Sequence, residues 1–354
     1  MNKRDYVVLG LMSGTSCDGL DMMLCRIFFD QKWNYEILGF ETSSYNATEI
    51  ESLKDITNLT AVQLMQAHAH WGNVFGERAS VFLKKYPEIR VDFVSSHGHT
   101  VFHQPNNCFT FQMGLGANIA VKTKLPVVCD FRSTDVAWGG QGAPLVPIGD
   151  ALFFGQYDFC INLGGFANIS YAINKERYAF DVCPLNIVLN EYARKLGAPY
   201  DASGNWARSA QIHQACLNAL NALEYYQQPP PKSLGVEWVR SHVFPVIEQF
   251  QLSPNDALCT MTEHAAIQLA NTLNGWVGRS LITGGGVLND YFIERLKAYT
   301  SDMELVIPEN KLVHGKEALI FALMGVLRWE NNYNALKSVT GAVSSSTGGA
   351  IYCY

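Results

Sequence analysis

The sequence predicts an α/β protein with two lobes, because two glycine-rich turns each interrupt a pair of strand-like apolar runs. The first turn lies within residues 6–24 and the second within residues 158–173, so each half of the chain carries one. A chain of 354 residues is also long for one hydrophobic core and suits two packed domains. Each lobe is therefore expected to contain a β-hairpin whose turn can meet a ligand.

Composition excludes several classes of function. The formal net charge is −6 at pH 7, whereas nucleic-acid binders are usually basic, so we expect no nucleic-acid partner. The nine cysteines include no CxxC pair, which is typical of reduced thiols in the cytoplasm. No apolar run reaches the roughly 18 residues of a membrane span, and the N-terminus lacks a signal-peptide core. We therefore expect a soluble cytoplasmic protein without a membrane partner.

The first turn holds groups that suit a nucleotide phosphate. Residues 6–11 and 22–27 are apolar and of strand length, and between them lies Ser13-Gly14-Thr15-Ser16-Cys17-Asp18-Gly19. Gly14 and Gly19 predict positive φ and close ligand approach, the hydroxyls can donate, and Asp18 could hold Mg²⁺ through water. The alternative is a plain Gly/Ser hairpin loop with a capping aspartate. No Walker motif, GxxxxGK[ST], is present.

A cluster of histidines follows the next buried strand. Residues 91–95 predict that strand, which ends in SHGHT at residues 96–100, and His97, His99 and His103 lie close together. Polar groups at a strand end in an α/β fold usually face the ligand. Three interpretations remain open, namely a substrate contact, a structural turn and a zinc site, although neither a cysteine pair nor an HExxH spacing is present.

Arg132 lies between a predicted strand and a glycine-rich loop. Residues 126–131 form the strand, and the loop covers residues 138–144. An arginine there could bind substrate anions or the charge that develops on a transferred phosphoryl group. It could equally tie two loops to Asp135, and the sequence leaves both interpretations open.

The second half repeats this organisation. Residues 158–163 predict a strand that enters Gly164-Gly165, and residues 169–173 predict the returning strand. A later strand delivers Asp181 to its end, before a predicted helix at residues 185–196. Asp181 is placed like a general base, and the alternative is that it caps this helix.

A third glycine turn precedes a late helix. Residues 279–282 predict a strand, Thr283-Gly284-Gly285-Gly286 follows, and residues 288–299 predict the helix. Such a turn lets the backbone approach a flat ring or a phosphate, and the alternative is an ordinary tight βα turn. Helices are also predicted at residues 208–223 and 316–329, the latter closing the second domain.

The three glycine turns resemble those of the duplicated nucleotide-binding fold of sugar kinases, actin and Hsp70. Individual motifs are similar to those of the anhydro-N-acetylmuramic acid kinase family and follow in order along nearly the whole chain. They are GLMSGTSCDG (residues 10–19), SHGHT (96–100), CDFRSTDVAWGGQGAPLVP (129–147), NLGGFANIS (162–170), PPPKSLG (229–235), TGGGVLN (283–289), KEALIFA (316–322) and SVTGA (338–342).

The resemblance implies an α/β, RNase H-like ATPase fold with two lobes around a central cleft. Residues 1–150 would form the N-terminal lobe, with the tail at 332–354 packed on it, and residues 151–331 the C-terminal lobe. It also implies a cytoplasmic enzyme of peptidoglycan recycling that uses ATP and Mg²⁺. Such an enzyme opens the 1,6-anhydro ring of anhydro-N-acetylmuramic acid with water and phosphorylates the freed O6. A homodimer is compatible with the family.

The resemblance also assigns roles to individual residues. Asp181 would be the base that activates water, Arg132 would steady the sugar or the transferred phosphoryl group, and Asp18 would hold Mg²⁺ through water. The residues expected to bind the nucleotide are Gly10, Ser13, Gly14, Thr15, Ser16, Asp18, Gly19, Asn162, Gly164, Gly165, Asn168, Gly284, Gly285 and Gly286. Those expected to contact the sugar are His97, His99, Gln141, Gly142, Ala143, Pro144 and Glu317.

The chain departs from the family pattern at two places. Where the family reads DTGPGN, this chain has Asp181-Val182-Cys183-Pro184-Leu185-Asn186, and where the family reads SHGQT, His99 replaces an amide. Apolar residues in place of a threonine and two glycines would change the fit at the anomeric carbon. Two alternative functions follow. One is a kinase for a related anhydrosugar, and the other is an ATP-binding regulatory or chaperone-like protein without sugar kinase activity.

Overall fold

Groups of strands and groups of helices follow one another along the chain in the computed structural model of the protein, which describes residues 4–230 and 232–354. The strands are β1 (Asp5–Ser13), β2 (Gly19–Asp30), β3 (Lys32–Ser44), β4 (Phe93–Gln104), β5 (Phe109–Met113), β6 (Val127–Cys129), β7 (Phe159–Leu163), β8 (Phe166–Ile173), β9 (Glu176–Pro184), β10 (Gly278–Thr283), β11 (Met303–Val306) and β12 (Ala350–Tyr352).

The α-helices are α1 (Ala47–Asp55), α2 (Ala61–Leu83), α3 (Gly116–Thr123), α4 (Ser133–Ala137), α5 (Pro147–Phe153), α6 (Asn186–Lys195), α7 (Asn205–Arg208), α8 (Gln214–Asn221), α9 (Val236–Trp238), α10 (Phe244–Gln249), α11 (Pro254–Leu273), α12 (Asp290–Tyr299), α13 (Asn310–Trp329) and α14 (Lys337–Thr340). Short 3₁₀ turns cover Ile56–Asn58, Pro105–Asn107, Ala202–Gly204, Glu224–Gln227 and Gly285–Leu288, and a π-helical turn covers Val239–Val243.

The chain divides into two compact units, Met1–Phe153 with Gly315–Tyr354 and Phe154–His314. The sequence instead places the boundary at residue 150 and assigns residues 316–329 to the second domain. The difference concerns α13, most of which belongs to the first unit because it packs against β1. A Cβ on Gly10 would lie only 2.0 Å from the Ala318 carbonyl oxygen. The tail that contains β12 also belongs to the first unit.

The sheet of the first unit mixes antiparallel and parallel pairing. Its described strands follow the order β12-β6-β4-β1-β2-β3, with β5 paired to β4. β1, β2 and β3 are successive antiparallel neighbours, whereas β1, β4 and β6 run parallel. The predicted first hairpin is therefore confirmed as β1–β2, with Ser13 paired to Leu20 at the turn.

The second unit repeats this topology. Its described strands follow the order β11-β10-β7-β8-β9, in which β7, β8 and β9 are antiparallel neighbours and β7, β10 and β11 run parallel. With β5 and β12 set aside, both sheets have the order third, second, first, fourth, fifth strand, with the same directions. This repetition confirms the duplicated RNase H-like fold.

Each sheet buries apolar side chains in the core of its own unit. In the first unit, Leu9 and Val94 pack with Phe75 of α2. In the second, Ile161 packs with Leu258 of α11. Burying such a side chain contributes roughly 1.5–3 kcal/mol, so these cores hold the strand ends, and the turns that follow them, in place.

β4 is longer than the sequence predicts. The predicted strand ends at residue 95, with SHGHT beyond it, whereas β4 continues to Gln104 and contains the motif. The reason is a partner that only the tertiary structure provides, since β5 pairs with β4 from His99 to Gln104. The histidines therefore lie within a strand and not at its end.

The helix predicted at residues 208–223 begins six residues later, as α8 (Gln214–Asn221). α7 ends at Arg208 and α8 begins at Gln214. Between them, the His213 ring accepts a hydrogen bond from the Cys216 amide (3.2 Å) and so serves as the N-cap of α8. A side-chain cap satisfies an amide that a continuous helix would bond internally.

Among the helices of residues 4–230 and 232–354, none combines the length and apolar character that a bilayer span requires. Met1, Asn2 and Lys3 lie outside the described residues, and so does Pro231, which belongs to the motif at residues 229–235.

Candidate active site

The turn between β1 and β2 presents polar groups at the surface. Thr15, Ser16 and Asp18 are exposed. The Ser16 hydroxyl donates to Asp18 Oδ1 (2.7 Å), and the turn closes through a hydrogen bond from the Cys17 amide to the Gly14 carbonyl (3.2 Å). Hydroxyl donors and an accessible carboxylate thus share one tight turn, which suits a phosphate and a divalent cation.

The glycines of this segment act differently from the prediction. The residue with positive φ is Cys17 (57°), not Gly14 or Gly19. Gly19 serves strand pairing, because a Cβ there would lie 2.8 Å from the Ser43 carbonyl oxygen, and Gly10 is fixed by α13. At Gly14 the nearest atom to such a Cβ is the Ser16 hydroxyl oxygen, 3.3 Å away. Gly14 is therefore the glycine that no neighbouring strand or helix blocks.

Ser13 belongs to a buried chain of hydrogen bonds. It accepts from the Tyr45 hydroxyl (2.8 Å), and its own hydroxyl lies 3.0 Å from His99 Nδ1. Burial lowers the pKa of His99 to about 4, so the ring is neutral at pH 7. The structure thus gives Ser13 and His99 a supporting role that joins β1 to β4, whereas the resemblance assigns them ligand contacts.

Arg132 is held between β4 and the glycine-rich loop. Its Nε donates to His97 Nε2 (3.0 Å) and its Nη1 to the Gly142 carbonyl (2.6 Å). Because Nε2 accepts, the His97 proton lies on Nδ1, which donates to the Gly98 carbonyl (2.9 Å). Burial and the Arg132 charge hold the pKa of His97 well below its usual range. Burial lowers the pKa of Arg132 to about 10, so Arg132 stays charged at pH 7.

Asp135 holds the same loop through a second contact. Its Oδ2 accepts from the Gly142 amide (2.8 Å) and its Oδ1 from the Thr340 hydroxyl (2.8 Å). Gly142, with φ of 64°, is therefore bound through its N–H by Asp135 and through its carbonyl by Arg132. The loop-tying interpretation of Arg132 is thus present in the structure. Of the other loop residues expected to meet the sugar, Gln141 and Pro144 are exposed and Ala143 is half-buried.

Glu317 is a carboxylate whose negative charge stabilises the positive charge of Arg132. Burial raises the pKa of Glu317, and the positive charges of Arg132 and Lys316 oppose that rise. Lys316 also forms a buried ion pair with Asp150 (2.7 Å). The first unit therefore brings Arg132 together with His97, Gly142 and Glu317, three of the residues expected to contact the sugar.

Asp21 is a residue of this region that the sequence prediction missed. It lies on β2 and accepts a hydrogen bond from the Thr42 hydroxyl (2.5 Å). Its pKa is raised to about 7, mainly by burial and further by the negative charges of Asp18 and Glu317. The available signal was an acidic residue inside an otherwise apolar run, which is uncommon in a buried strand.

The structure does not support a zinc site at the histidines. His97 Nε2 accepts from Arg132, His99 Nδ1 bonds Ser13, and His103 Nδ1 lies 3.1 Å from the Thr110 hydroxyl. Within the part of the chain that the structure describes, no group of three or more His, Cys, Asp or Glu side chains is arranged to hold a metal ion. These histidines instead fix Arg132, the end of β1 and the β4–β5 hairpin.

The turn between β7 and β8 is held by the start of α6. The Leu185 amide donates to the Gly165 carbonyl (2.9 Å), and the Asn186 amide donates to the Gly164 carbonyl (3.3 Å). A Cβ on Gly165 would find its nearest neighbour 3.9 Å away, at Ile187. A ligand could therefore approach the backbone of this turn closely.

The turn after β10 contains glycines of two kinds. Gly284 has φ of 88°, and a Cβ on it would lie 2.6 Å from Asn162 Oδ1. A Cβ on Gly286 would lie 2.7 Å from Leu163 Cβ, whereas nothing lies within 4 Å of one on Gly285. The tight-turn interpretation therefore accounts for Gly284 and Gly286, and Gly285 has space for a ligand.

Asp181 lies on β9 opposite Asn168 of β8, beside a break in the pairing register. Its Oδ2 accepts from the Leu234 amide (2.9 Å), and its backbone carbonyl accepts from the Tyr225 hydroxyl (2.6 Å). Burial raises the pKa of the Asp181 carboxyl, and the Leu234 amide opposes that rise. A half-buried carboxylate with a raised pKa and further lone pairs has the properties of a general base.

The capping interpretation of Asp181 is wrong. β9 continues past it to Pro184, and α6 begins at Asn186 with Leu185 at an N-cap that makes no side-chain hydrogen bond. Three residues that differ from the family pattern, Val182, Cys183 and Leu185, are buried in the core of the second unit. Their apolar bulk is therefore accommodated by core packing.

Comparison with known proteins covers nearly all of the chain. A sequence model of the family described as anhydro-N-acetylmuramic acid kinase matches residues 6–354. The chain belongs to the anhydro-N-acetylmuramic acid kinase family. The match includes both glycine-turn hairpins, the Arg132 loop and Asp181.

The sequences of individual relatives match this chain over nearly their full lengths. An anhydro-N-acetylmuramic acid kinase from Sulfurovum sp. is 33% identical over 367 residues, covering 99% of this chain and 100% of that protein. One from Synechococcus elongatus is 31% identical, covering 98% and 99%. Among solved structures, an activator of the 2-hydroxyisocaproyl-CoA dehydratase from Clostridium difficile with bound ADPNP covers 92% of this chain and 97% of its own, at 11% identity and a TM-score of 0.44.

Proposed function

We propose that the protein is an ATP-dependent kinase of anhydro-N-acetylmuramic acid. It opens the 1,6-anhydro ring with water and transfers the γ-phosphoryl group of ATP to O6, which yields N-acetylmuramic acid 6-phosphate and ADP. The reaction would serve peptidoglycan recycling. The observation that carries the proposal is the family match over residues 6–354, and the environment of Asp181 supports it.

Asp181 is the proposed base. Its carboxylate takes a proton from the water that attacks the anomeric carbon, C1, and the C1–O6 bond breaks as the new C1–O bond forms. The electron pair of the broken bond stays on O6, which attacks the γ-phosphorus and displaces ADP. Asp181 then releases its proton to solvent. A raised carboxyl pKa brings the base closer to neutral pH, where proton transfer is most efficient.

The glycine turns are the proposed phosphate sites. In the first unit, Thr15 and Ser16 offer exposed hydroxyls beside the backbone of Gly14. In the second unit, the space beside Gly165 and Gly285 is more open than that beside Gly14. Backbone N–H groups at such turns hold phosphate oxygens without side-chain obstruction. Further proposed nucleotide contacts are Gly164, Asn162 and Asn168, which lie on or beside the second turn.

Mg²⁺ fits the donors of the first turn. Asp18 offers an exposed carboxylate next to the Ser16 hydroxyl. Kinase Mg²⁺ ions are usually bound by one or two carboxylates together with waters and substrate phosphates, so a single aspartate is a suitable protein ligand. Asp18 would hold the ion through water. When bound, the ion neutralises charge on the phosphate oxygens.

Arg132 and Glu317 are the proposed polar contacts of the sugar in the first unit. Arg132 uses Nε and Nη1 to bind His97 and Gly142. A guanidinium has five N–H donors, so others remain for an oxygen of the sugar or of the phosphoryl group. Glu317 offers carboxylate oxygens that can accept from sugar hydroxyls. His97 then acts as a neutral support that fixes the plane of the guanidinium.

A coupled assay of ADP release tests this function. With ATP, Mg²⁺ and anhydro-N-acetylmuramic acid, we expect sugar-dependent ADP release. Mass spectrometry should find a product equal to the sugar plus one water and one phosphoryl group. ATP binding without sugar-dependent turnover would contradict the proposal and favour the regulatory alternative. Turnover with a different anhydrosugar alone would show that the substrate assignment is wrong.

We further propose that the protein is a cytoplasmic homodimer, as the family resemblance allows. Light scattering should then give twice the chain mass of 39.3 kDa. A mass equal to one chain would contradict the dimer. Fractionation of the source cells should place the protein with the cytoplasmic enzymes.

A further inference from the structure

Two adjoining cavities lie beside β9 in the second unit. The first, of about 240 Å³, has a mainly polar lining that includes Asn221, Tyr226, Gln268 and Asn271. The second, of about 290 Å³, has a mainly aromatic lining that includes Phe159, Tyr171 and Trp276. Both are lined by Phe180, Lys232 and Thr272, so the polar and aromatic parts meet at these three residues.

Lys232 gives both cavities their charge. Among the described residues that line them, no other is charged at neutral pH. Its Nζ donates to the Tyr225 carbonyl (3.0 Å) and lies 4.5 Å from the centroid of the Tyr225 ring. These partners are neutral, and an ammonium has three donors. Burial lowers the pKa of Lys232, as expected when no anion offsets desolvation.

Hydrogen bonds fix the orientation of polar side chains that line the first cavity. Asn221 Oδ1 accepts from Gln268 Nε2 (2.8 Å) and lies 2.7 Å from His264 Nδ1. Burial lowers the pKa of His264 to about 3, so the ring is neutral, and its Nε2 lies 2.8 Å from the Tyr226 hydroxyl. With Oδ1 occupied twice, Asn221 has a fixed orientation in which its NH₂ group remains a donor. Amide donors and an ammonium together favour an anion.

The aromatic cavity offers a wall for an apolar group. Trp276 is 42% exposed and meets Phe159 edge-on, with ring centroids 5.2 Å apart, and Tyr171 at 6.3 Å. Rings arranged in this way present both faces and edges to a further ring. A volume of about 290 Å³ corresponds to roughly ten water molecules, which is enough for a small aromatic compound.

We propose that these cavities form a binding site for a small amphipathic carboxylate. Its carboxylate would face Lys232 and the side-chain amides, and its apolar ring would lie against Phe159, Tyr171 and Trp276. Charge complementarity at Lys232 and the adjoining aromatic wall select this chemistry over a neutral or a purely polar compound. The site uses none of the residues assigned to ATP or the sugar.

The segment that carries Lys232 also fixes Asp181. The Asp181 amide donates to the Lys232 carbonyl (3.4 Å), and the Leu234 amide donates to Asp181 Oδ2 (2.9 Å). A ligand that draws the Lys232 ammonium away from the Tyr225 carbonyl would therefore shift a segment that positions the proposed base. The resulting effect on turnover rests on the proposed function, whereas binding itself does not.

A ligand-observed NMR titration of the full chain with phenylacetate tests the site. We expect saturable binding with a Kd on the order of 1 mM, which corresponds to about −4 kcal/mol. Phenylacetamide, which lacks the charge, should bind about tenfold more weakly. Lys232→Met should weaken phenylacetate binding about tenfold, and Lys232→Arg should retain it, since a cation at this position is the requirement.

Lys195→Met is the matched control. Lys195 also lies over a ring, 4.4 Å from the centroid of Tyr192, but lines neither cavity, so phenylacetate should bind this variant as it binds the wild type. Equal affinity in Lys232→Met and Lys195→Met, or no saturable binding to the wild type, would overturn the proposal. If Lys232→Met does not fold, Trp276→Ala replaces it in the same comparison with Lys195→Met, because it removes one ring of the aromatic wall at a partly exposed position.

Measurements of kcat test the effect of the bound carboxylate on Asp181 separately from its binding. Phenylacetate at a concentration equal to the wild-type Kd should change kcat for sugar-dependent ADP release in the wild type, and should change that of Lys232→Met several times less because this variant binds it about tenfold more weakly. Binding without any change in kcat would overturn the link to Asp181 and leave the site itself supported. An inactive wild type would count against the proposed function and would not affect the binding result.

Discussion

The carboxyl group of Asp181 is subject to two opposing influences. Burial favours its neutral form, while the hydrogen bond from the Leu234 amide favours the charged form, and the net effect is a raised pKa. A carboxylate with the ordinary aspartate pKa of about 4 is a less effective general base at neutral pH than one with a raised pKa. Burial therefore makes the Asp181 carboxylate a stronger base than an exposed aspartate.

Replacing Asp181 by Asn should abolish most of the turnover while leaving ATP affinity nearly unchanged. The amide keeps the shape and can still accept from the Leu234 N–H, but it cannot take a proton from water. General-base catalysis contributes about 10²–10⁴-fold, so kcat should fall by that order. The coupled ADP assay measures kcat, and calorimetry measures ATP binding. Asp158→Asn, at an exposed aspartate of the same unit, should keep wild-type kcat.

The pH profile of kcat/KM for the sugar should place the acid limb above the usual aspartate range. The proposed base works only when it is ionised, so activity is lost as pH falls through the raised pKa of Asp181. We expect the midpoint of the acid limb above pH 4, since the ordinary pKa of aspartate is about 3.9. A limb at or below that value, measured on the wild type with the sugar well below its KM, would show that another group controls the profile.

Asp21 should make the folded protein less stable as pH rises. Its folded-state pKa of about 7 exceeds the ordinary value of 3.8, so the folded state binds the extra proton between these values and loses stability as pH rises through that window. Asp21→Asn removes the buried charge and keeps an acceptor for Thr42. Its Tm should exceed the wild-type Tm by several degrees at pH 8, at about 2–4 °C per kcal/mol.

The same comparison at pH 4 provides the control. There the Asp21 carboxyl is neutral in the folded state and roughly half ionised in the unfolded state, so most of the difference between the two Tm values should be gone. Asp30→Asn, at the exposed end of the same strand, should leave Tm unchanged at both pH values. A difference between Asp21→Asn and wild type that does not vary with pH would show that packing, and not ionisation, is responsible.

At the scale of elements, the glycines of the first hairpin differ in the neighbouring element that each allows to come close. Gly10 lets the α13 backbone approach β1, and Gly19 lets β2 pair with β3. Gly14 serves neither purpose, since a Cβ there would approach only Ser16, with its hydroxyl oxygen 3.3 Å away. The sequence motif alone does not show which of these glycines serves the fold and which could contact a ligand. Only the packing of neighbouring elements separates those that serve the fold from one that is available to a ligand.

Gly10→Ala and Gly14→Ala should therefore fail in different ways. A Cβ at Gly10 would lie 2.0 Å from the backbone oxygen of Ala318, so the variant should lose several degrees in Tm or fail to fold. Gly14→Ala should keep Tm within about 2 °C, because its new methyl group meets only the Ser16 hydroxyl. Gly14→Ala should instead raise the KM for ATP. Equal losses of Tm in both variants would refute this assignment.

At the scale of the whole molecule, the chain builds one topology twice and then returns to its first unit. α13 and the tail contribute Glu317, Thr340 and β12 to the unit that also holds Arg132. Thr340 binds Asp135, and its carbonyl accepts from the Gln141 amide (2.8 Å). The loop expected to meet the sugar is therefore fixed by residues from the last part of the chain.

Thr340→Val should loosen this loop. It keeps the shape of the side chain but leaves Asp135 Oδ1 without its hydroxyl donor, at a cost of about 1–3 kcal/mol for an unsatisfied buried group. We expect a higher KM for the sugar and an unchanged KM for ATP. Ser345→Ala, in the same tail, is the matched control and should change neither constant. An increase in the KM for ATP alone would contradict the assignment of this loop to the sugar.

Local patterns were sufficient to predict the hairpins, the order of most elements and the family. Alternating and continuous apolar runs identify strands, and glycine-rich turns mark their ends, because both signals depend on residues that are near neighbours in sequence. The position of Asp181 close to the end of a strand followed from the same logic, as did Arg132 beside its loop. The limits of β4 could not be predicted in this way, because its extension depends on pairing with β5.

The sequence by itself determined the duplicated α/β fold, the family and the set of polar residues available for chemistry, since these follow from local pattern and from motifs. Only the tertiary structure decided which of those residues support others. It turned His97 and His99 into neutral hydrogen-bond partners, gave Asp21 its raised pKa and separated Gly14 from Gly10. The reason is that burial, hydrogen-bond partners and close backbone contacts arise between residues far apart in the chain.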